Sequence, residues 1–256
     1  MKGLHDCNEK AVSAGCVALA ALGGLCLQRQ LRQSVAYGRY TPPSFSGILI
    51  PAKIAWFVQE LPSFLVPVLL LYRSGSLETL GCKLLLFMFC GHYFHRTFIY
   101  GFLTNGQPTS FHIVCQSFLF CTLNGWFQAH SLINCAVYED NWTTDCRFIL
   151  GVVIFLLGMA INIHSDHVLR NLRKPGEINY KIPKGGLFKY ISGANFFGEI
   201  IEWFGYAIAT WNASAFSFAV LTFCSIGPRA YHHHRFYQKK FQDYPKSRRA
   251  LIPFLF

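Results

Sequence analysis

The sequence predicts an all-α integral membrane protein, a bundle of seven transmembrane helices with a lumenal N-terminus and a cytosolic C-terminus. Three observations carry that prediction. Hydrophobic residues make up 52% of the 256-residue chain, aromatics 16% and charged residues only 14%, a balance unusual for a water-soluble fold. Apolar runs of about 20 residues, long enough to cross a hydrocarbon core ~30 Å thick, recur along almost the whole sequence. The net charge of +11 is gathered into clusters, as a membrane-orientation signal requires, so a nucleic-acid partner is not expected.

Taken in order, the first run, Ala11–Leu27, follows Lys2 and Lys10 and has the outline of a secretory signal. Arg29, Arg32 and Arg39 come after it in place of a small-residue cleavage site, which makes it a retained anchor. Further spans are expected near Ile48–Tyr72, Leu80–Leu103, Phe111–Ile133 and Phe148–Ile163. The last two, Ala194–Trp211 and Ala213–Ala230, are separated only by the Asn212 region and predict a tight helical hairpin. No soluble domain fits between spans this close.

Orientation follows from the basic residues. Arg170, Arg173, Lys174, Lys181, Lys184 and Lys189 form one cluster, and Arg229, Arg235, Lys239, Lys240, Lys246, Arg248 and Arg249 the other. Placing both in the cytosol satisfies the positive-inside rule with an odd number of spans and a lumenal N-terminus. The segments on the opposite side agree, since Tyr138–Asp145 is acidic and Trp211–Ser214 uncharged; each contains a sequon, at Asn141 and Asn212. The ten cysteines show no metal-site spacing, and most fall in apolar runs as small hydrophobes. Cys7, Cys135 and Cys146 map to the lumen, whose oxidising conditions allow one disulfide among them; Cys7 with Cys135 is the chosen pair.

Ionisable groups within apolar spans are expensive and mark functional sites. In AWFVQELPSF, Glu60 stands at mid-span just before Pro62, which is expected to loosen the helix around the carboxylate. A packing pair of Glu60 with Arg96 or a histidine is the alternative. In HYFHRTFIY, helical spacing puts Tyr93, Arg96 and Tyr100 on one face, suited to a substrate oxygen or a phosphate, or else to an interfacial aromatic belt with a snorkelling arginine. Asn162, Asp166, Arg170 and Arg173 form a polar stripe running from the bilayer into the basic loop. Asn195, Glu199 and Glu202, with Trp203 beside them, form a second, and Arg229, His233 and Tyr237 a third. Three stripes converging on the cytosolic half predict one polar cavity; paired charges that only join helices would give the same pattern.

Two other chemistries fit less well. The pairs His92/His95 and His164/His167 and the run His232–His234 lack the spacing of a di-iron site, because consecutive helical histidines point about 100° apart. No metal is therefore expected. No GxGxxG follows a strand, and Gly185–Gly186 is a turn signal only, so a dinucleotide would have to be held by helices and the basic loop.

The run INIHSDHVLRNLRKPGEINYKIPKGGLFKYISGANFFGEIIEWFGYAIATW and the tail RAYHHHRFYQKKFQDYPKSRRALIPFLF closely resemble the C-terminal core of vertebrate steroid 5α-reductases. AWFVQELPSF and HYFHRTFIY extend the resemblance from about residue 48 to the end, and HYFHRTF and HHHRFY look more like the second of the family's two classical isoenzymes than the first. The first 47 residues are similar mainly in hydropathy.

The resemblance implies one transmembrane domain over 1–256 in the endoplasmic reticulum membrane. Residues 1–10 would be lumenal, 48–135 would form the steroid-pocket helices, and 148–256 an NADPH-binding core with a cytosolic loop at 167–190 and a cytosolic tail. It further implies that Glu60 and Tyr93 grip the steroid 3-oxo group. Cofactor contacts implied in the same way are Arg96, Tyr100, Asn162, Asp166, Arg173, Asn195, Glu199, Trp203, Arg229, His233 and Tyr237. Lys181 stands where family members carry Arg or Lys and can hold a phosphate only as a point charge. Gln107 in LTNGQP stands where some relatives have a basic residue, which leaves that phosphate contact open. The steroid is expected to enter from the bilayer, with membrane lipids and no obligate protein as partners. As hydride reaches C5 of the enone, charge would build on the 3-oxygen, where the Tyr93 hydroxyl, and Glu60 if protonated, can donate. A membrane enoyl reductase acting on an enoyl-CoA or polyprenal shares the C-terminal pattern but not QELPS or HYFHR. A non-catalytic sterol-binding protein, with the stripes as a water or ion path, is the alternative of another class.

Overall fold

The computed structural model describes residues 7–35, 38–42, 44–74, 77, 79–173, 177 and 179–256. Lys2, Lys174 and the lumenal placement of the first six residues lie outside them. Among the described residues seven helices dominate, each matching one expected span. They are α1 (Glu9–Arg32), α2 (Ala52–Ser74), α3 (Leu80–Phe94), α4 (Phe111–His130), α5 (Cys146–Arg170), α6 (Ala194–Thr210) and α7 (Ala213–Lys240). Of these, α1, α2 and α5 are long and apolar enough to cross a membrane by length and composition.

Local chemistry sets the helix ends. Asn8, Thr79, Asp145 and Asn212 each accept a backbone N–H in the first turn of α1, α3, α5 and α7. The Asp145 carboxylate also takes two hydrogen bonds from the Arg147 side chain, at 2.9 and 2.8 Å. Those bonds hold its pKa down at about 2. The hairpin at Asn212 is as tight as its sequence requires. Trp211 adopts the left-handed conformation with φ 48° and closes α6, and α7 begins two residues later.

Three elements depart from the expected helices. Ile48–Tyr72 does not begin as helix, because β1 (Leu49–Ile50) pairs antiparallel with β2 (Thr109–Ser110) and Pro51 separates the strand from α2. Among the described residues the pattern is thus all-α apart from this two-residue ladder and a lone parallel bridge of Ile191 with Arg249. Pro62 does not interrupt α2, which runs unbroken through both Pro62 and Pro67. The third span changes pitch: α3 continues as a π-helical segment, His95–Tyr100, before a last α-turn at Gly101–Leu103. One residue more per turn there alters where Arg96 and Tyr100 point.

The closest helix pairing is α5 against α6, and small residues make it possible. A Cβ at Gly158 would collide with the backbone of Glu202, one at Gly205 with Phe155, one at Gly151 with Ala209 and one at Gly198 with Asn162. Gly151 and Gly158 are seven residues apart on α5, as are Gly198 and Gly205 on α6, so two turns of contact repeat along an antiparallel seam. That seam carries Asn162 to Asn195 and Glu199. Elsewhere α2 packs on α4, and α1 lies along α7, where Gln30 donates to the Ser225 carbonyl at 2.9 Å. At its other end α1 is tied by the Cys7–Cys135 disulfide. The tail folds back over the start of α6: Ser192 Oγ lies 2.7 Å from both His234 Nδ1 and Tyr244 Oη. Burial, together with Arg235 and Arg249, pushes the His234 pKa below the usual histidine range.

The seam predicts a sharp contrast between glycines. Gly198→Ala should lower the melting temperature of the detergent-solubilised protein by the equivalent of about 1–3 kcal/mol of overpacking. Gly24→Ala, where nothing lies within 4 Å, should raise it slightly through helix propensity. Equal melting temperatures for the two variants would refute the seam.

Candidate active site

The π-helical turn of the third span is the centre of the site. Arg96 is 7% exposed. Its Nη1 donates to Asp166 Oδ2 on α5 at 3.0 Å, and its Nη2 lies 4.0 Å from Glu199 Oε2 on α6. The guanidinium carbon is 4.8 Å from the Trp56 ring centroid on α2 and 4.5 Å from that of Tyr100, an aromatic bracket on a cation whose carboxylates come from two other helices. Asn162 extends the cluster, donating from Nδ2 to the Asn195 carbonyl at 3.0 Å and to Glu199 Oε2 at 3.5 Å. Arg96 therefore pairs with Asp166 and Glu199, and Glu60 takes no direct ion pair with it.

Glu60 and Tyr93 occupy a neighbouring region between α2, α3 and α4. Ser63 Oγ donates to the Cys121 carbonyl at 3.1 Å, and Cys121 Sγ lies 3.9 Å from Glu60 Oε2. Cys121, Glu60, Ser63 and Glu199 are polar groups near enough to act on the Tyr93 hydroxyl. The Tyr93 ring is 5.8 Å from that of Trp203, and Trp203 is itself sealed among Phe89, His92, Phe155, Tyr206 and Phe218. A donor hydroxyl in such an enclosure is shielded from water.

A cleft of about 200 Å³ opens beside the Arg96 cluster. It is lined by Tyr100, Asp166, Arg170, Arg173, Tyr180, Lys181, His233 and Tyr237, with Asn105 and Gln107 at one wall. Arg173 reaches the Asn105 carbonyl at 3.4 Å, its guanidinium lies 5.4 Å from the Tyr180 ring, and Lys181 pairs with Glu177 at 2.7 Å. His233 packs between Tyr40 and Phe196 at 5.7 and 5.3 Å. Tyr237 is 2% exposed and stacks on Tyr244 at 5.5 Å. Cations and flat rings along one wall fit an elongated polyanion that carries planar groups. A larger cleft, about 430 Å³, lies at the opposite end among Tyr138, Trp142, Arg147 and Trp211. It contains none of the expected site residues, so size alone is a poor guide here.

Of the expected residues, Tyr100, Asp166, Arg173, Lys181, His233 and Tyr237 line the cleft; Arg96, Asn162 and Trp203 are buried outside its described lining, and Asn195 and Glu199 are half-buried outside it. Asn195 takes part through its backbone carbonyl. Arg229 is half-buried and outside the described cleft lining. Glu202 leaves the stripe it shares with Asn195 and Glu199 and meets His92 instead. Tyr180 went unrecognised as a cleft-lining group, its place in a basic, aromatic loop being the only available signal. Arg170, on the Asn162 stripe, lines the cleft as that stripe predicts, although it was not among the expected cofactor contacts. Among the described residues no cluster suited to a metal ion occurs.

These features define a helical protein of membrane type whose buried ionic centre opens into a cationic, aromatic cleft. Residues 107–256 match the family model described as 3-oxo-5-alpha-steroid 4-dehydrogenase. Relatives include 3-oxo-5-alpha-steroid 4-dehydrogenase 2 of Sus scrofa, 54% identical over 252 residues, covering 98% of this chain and 98% of the relative. The enzyme of the same name from Homo sapiens is 54% identical over 253 residues, covering 98% and 99%. Human 3-oxo-5-alpha-steroid 4-dehydrogenase 1 is 47% identical over 253 residues, covering 97% of each. The chain belongs to the 3-oxo-5-alpha-steroid 4-dehydrogenase family, is an oxidoreductase, and stands nearer to the type 2 relatives than to type 1.

Breaking the Arg96–Asp166 pair leaves a buried cation under-compensated, at a cost of about 3–5 kcal/mol. Asp166→Asn should therefore melt well below wild type. Asp145→Asn, which removes a half-exposed pair but keeps a helix cap, should melt close to it. Thermal unfolding in detergent checks both.

Proposed function

We propose that this chain is an NADPH-dependent 3-oxo-5α-steroid 4-dehydrogenase of the endoplasmic reticulum membrane. It reduces the 4,5 double bond of 3-oxo-Δ4 steroids such as testosterone and progesterone. The observation that carries the reading is the continuity between the buried Arg96 cluster and the cationic cleft, in a chain 54% identical over nearly its whole length to enzymes named for that reaction. All seven helices cross the bilayer in this reading, with the N-terminus lumenal and the tail cytosolic. Support comes from Arg170, Arg173 and Lys181 lining the cleft, in a sequence whose other basic cluster falls in the 229–249 tail. The steroid reaches the α2–α3–α4 region from the lipid.

The cleft residues fit NADPH by chemistry. Arg173 suits a phosphate, and Arg170 and Lys181 add positive charge beside it. Tyr180, His233 and Tyr237 offer flat or hydrogen-bonding faces. Behind the Arg96–Asp166 pair, Asn162 with the Asn195 carbonyl and Glu199 presents neutral and acidic partners for an amide. When bound, NADPH supplies the hydride that reduces C5 of the enone. Tyr93 donates its hydroxyl proton in a hydrogen bond to the steroid 3-oxygen, where negative charge develops as C5 is reduced. Glu60 stands beside it as the second polar group on that oxygen. A donor held in a dry pocket before the reaction begins is worth more than one recruited from water, because nothing must reorganise as charge forms. The aromatic enclosure of Trp203 and Tyr93 excludes water, and a proton added at C4 completes the reduction.

Microsomes expressing the chain, given testosterone and NADPH, should yield the 5α-reduced 3-oxo product; no such product would overturn the reading. In the same assay Tyr93→Phe should lose roughly 10²–10³ in kcat, the usual cost of one oxyanion donor, with the NADPH KM nearly normal. Arg173→Ala should instead raise the NADPH KM by about 10- to 100-fold, the expected loss of one charge-assisted contact.

A further inference from the structure

One buried titratable pair stands outside the site as assigned. His92 Nδ1 and Glu202 Oε1 are 2.7 Å apart. They are 4% and 0% exposed, and among the described residues Glu202 Oε2 meets no hydrogen-bond partner. A separation that short requires one proton between the two atoms. Water cannot compete for it at that depth, so the link is single and directional.

The position of the pair gives it meaning. His92 immediately precedes Tyr93, and Glu202 immediately precedes Trp203. The His92 ring meets Trp203 edge-on at 4.6 Å and Tyr93 edge-on at 5.0 Å, and those two rings lie 5.8 Å from each other, so the three close on one another as a triangle. Helices α3 and α6 touch over only a short stretch, so this bond is a main tie between them at the level of those rings. The Glu202 end cannot drift, because its backbone sits against Gly158 with no room for even a methyl group. Just beyond the His92 end the backbone changes pitch at His95. Without an external tie the turn that bears Tyr93 could rotate.

We propose that His92 and Glu202 are positioning residues, a hydrogen-bonded strut that fixes the spacing and orientation of Tyr93 against Trp203. This rests on the functional reading above, in which Tyr93 donates to the steroid 3-oxygen and Trp203 closes the enclosure that keeps water from it. Neither strut residue touches the reacting atoms. The strut acts by geometry, so a neutral amide that keeps the hydrogen bond suffices, whereas a correct carboxylate at the wrong reach does not. Misplacement by about 1 Å costs on the order of 10²-fold in rate.

The test compares purified wild type, His92→Phe, Glu202→Gln and Glu202→Asp in lipid nanodiscs, with every rate expressed per NADPH-binding site as titrated by fluorescence. His92→Phe keeps the planar ring and deletes the bond. Its kcat per site should fall roughly 10- to 100-fold while its NADPH KM stays within about threefold of wild type, as expected when a ground-state contact is untouched. Its isotope effect with 4-deuterated NADPH should rise as the hydride step becomes rate-limiting. Equilibrium binding of testosterone to the NADP⁺-loaded variant should weaken about fivefold, since a displaced Tyr93 loses one hydrogen bond. Glu202→Gln should keep kcat within about threefold, and Glu202→Asp, one methylene short, should lose about tenfold or more. Normal kcat per site and normal steroid affinity in His92→Phe would sink the strut while leaving the reaction standing. Wild type without steroid turnover would overturn the functional reading and the strut together. If His92→Phe yields no cofactor-binding protein, Glu202→Asp decides: unchanged kcat per site overturns the proposal and a tenfold loss supports it.

Discussion

Arg96 is a guanidinium at 7% exposure, set where three helices meet, and most of the polar architecture can be derived from the need to satisfy it. A charge that deep requires opposite charge and directed acceptors, since its lost hydration is worth several kcal/mol. Asp166 comes from α5, Glu199 from α6, and the Trp56 and Tyr100 rings from α2 and the π-helical turn. Moving any of these helices by one turn would leave either the cation or a carboxylate alone. The arrangement therefore fixes the register of four elements at once, and it does so at the floor of the cleft.

Packing and polarity divide the labour in this bundle. Helices α5 and α6 approach so closely at their glycines that they form one rigid unit. That unit carries Asn162, Asp166, Asn195, Glu199 and Trp203. Helices α2, α3 and α4 supply Glu60, Ser63, Tyr93 and Cys121 from the other side. Among the described residues the polar links between the two groups are chiefly Arg96 with Asp166 and Glu199 and His92 with Glu202, while Gln128 Nε2 ties α4 to the Ser214 carbonyl of α7 at 2.9 Å. The reacting partners would meet along that boundary, where these polar tethers act beside the aromatic packing of Phe89 and Tyr93 on Trp203 and Tyr206.

The helices were legible because a bilayer demands continuous apolar runs, and such runs leave an unmistakable mark on composition. The Asn212 hairpin was legible for the same reason, with too few residues between spans for anything else. The π-helical turn was not. One extra residue per turn alters no composition and no apolar period strongly enough to show in six residues. The helical spacing of Tyr93, Arg96 and Tyr100 nonetheless named side chains of which two, Arg96 and Tyr100, do meet. Residues Ile48–Ile50 were read as helix because a β-branched apolar run beside a span looks like its first turn. Pairing with Thr109 and Ser110 is a long-range event that no local pattern announces. The i, i+4, i+7 stripe of α6 placed Glu202 with Glu199 correctly by face, but a face has depth as well as direction. One turn farther along the helix, the partner available was His92.

The close seam of α5 and α6 also bears on inheritance. Gly151, Gly158, Gly198 and Gly205 each sit where the only tolerated side chain is a hydrogen atom. Every single-base change of a glycine codon that alters the residue inserts something larger, from alanine to tryptophan. Those four codons thus have no conservative neighbours, even though none of them encodes a group that could touch a ligand. Natural sequence variation along this stretch should be written almost entirely on the outer faces of the two helices, with the inner line left blank.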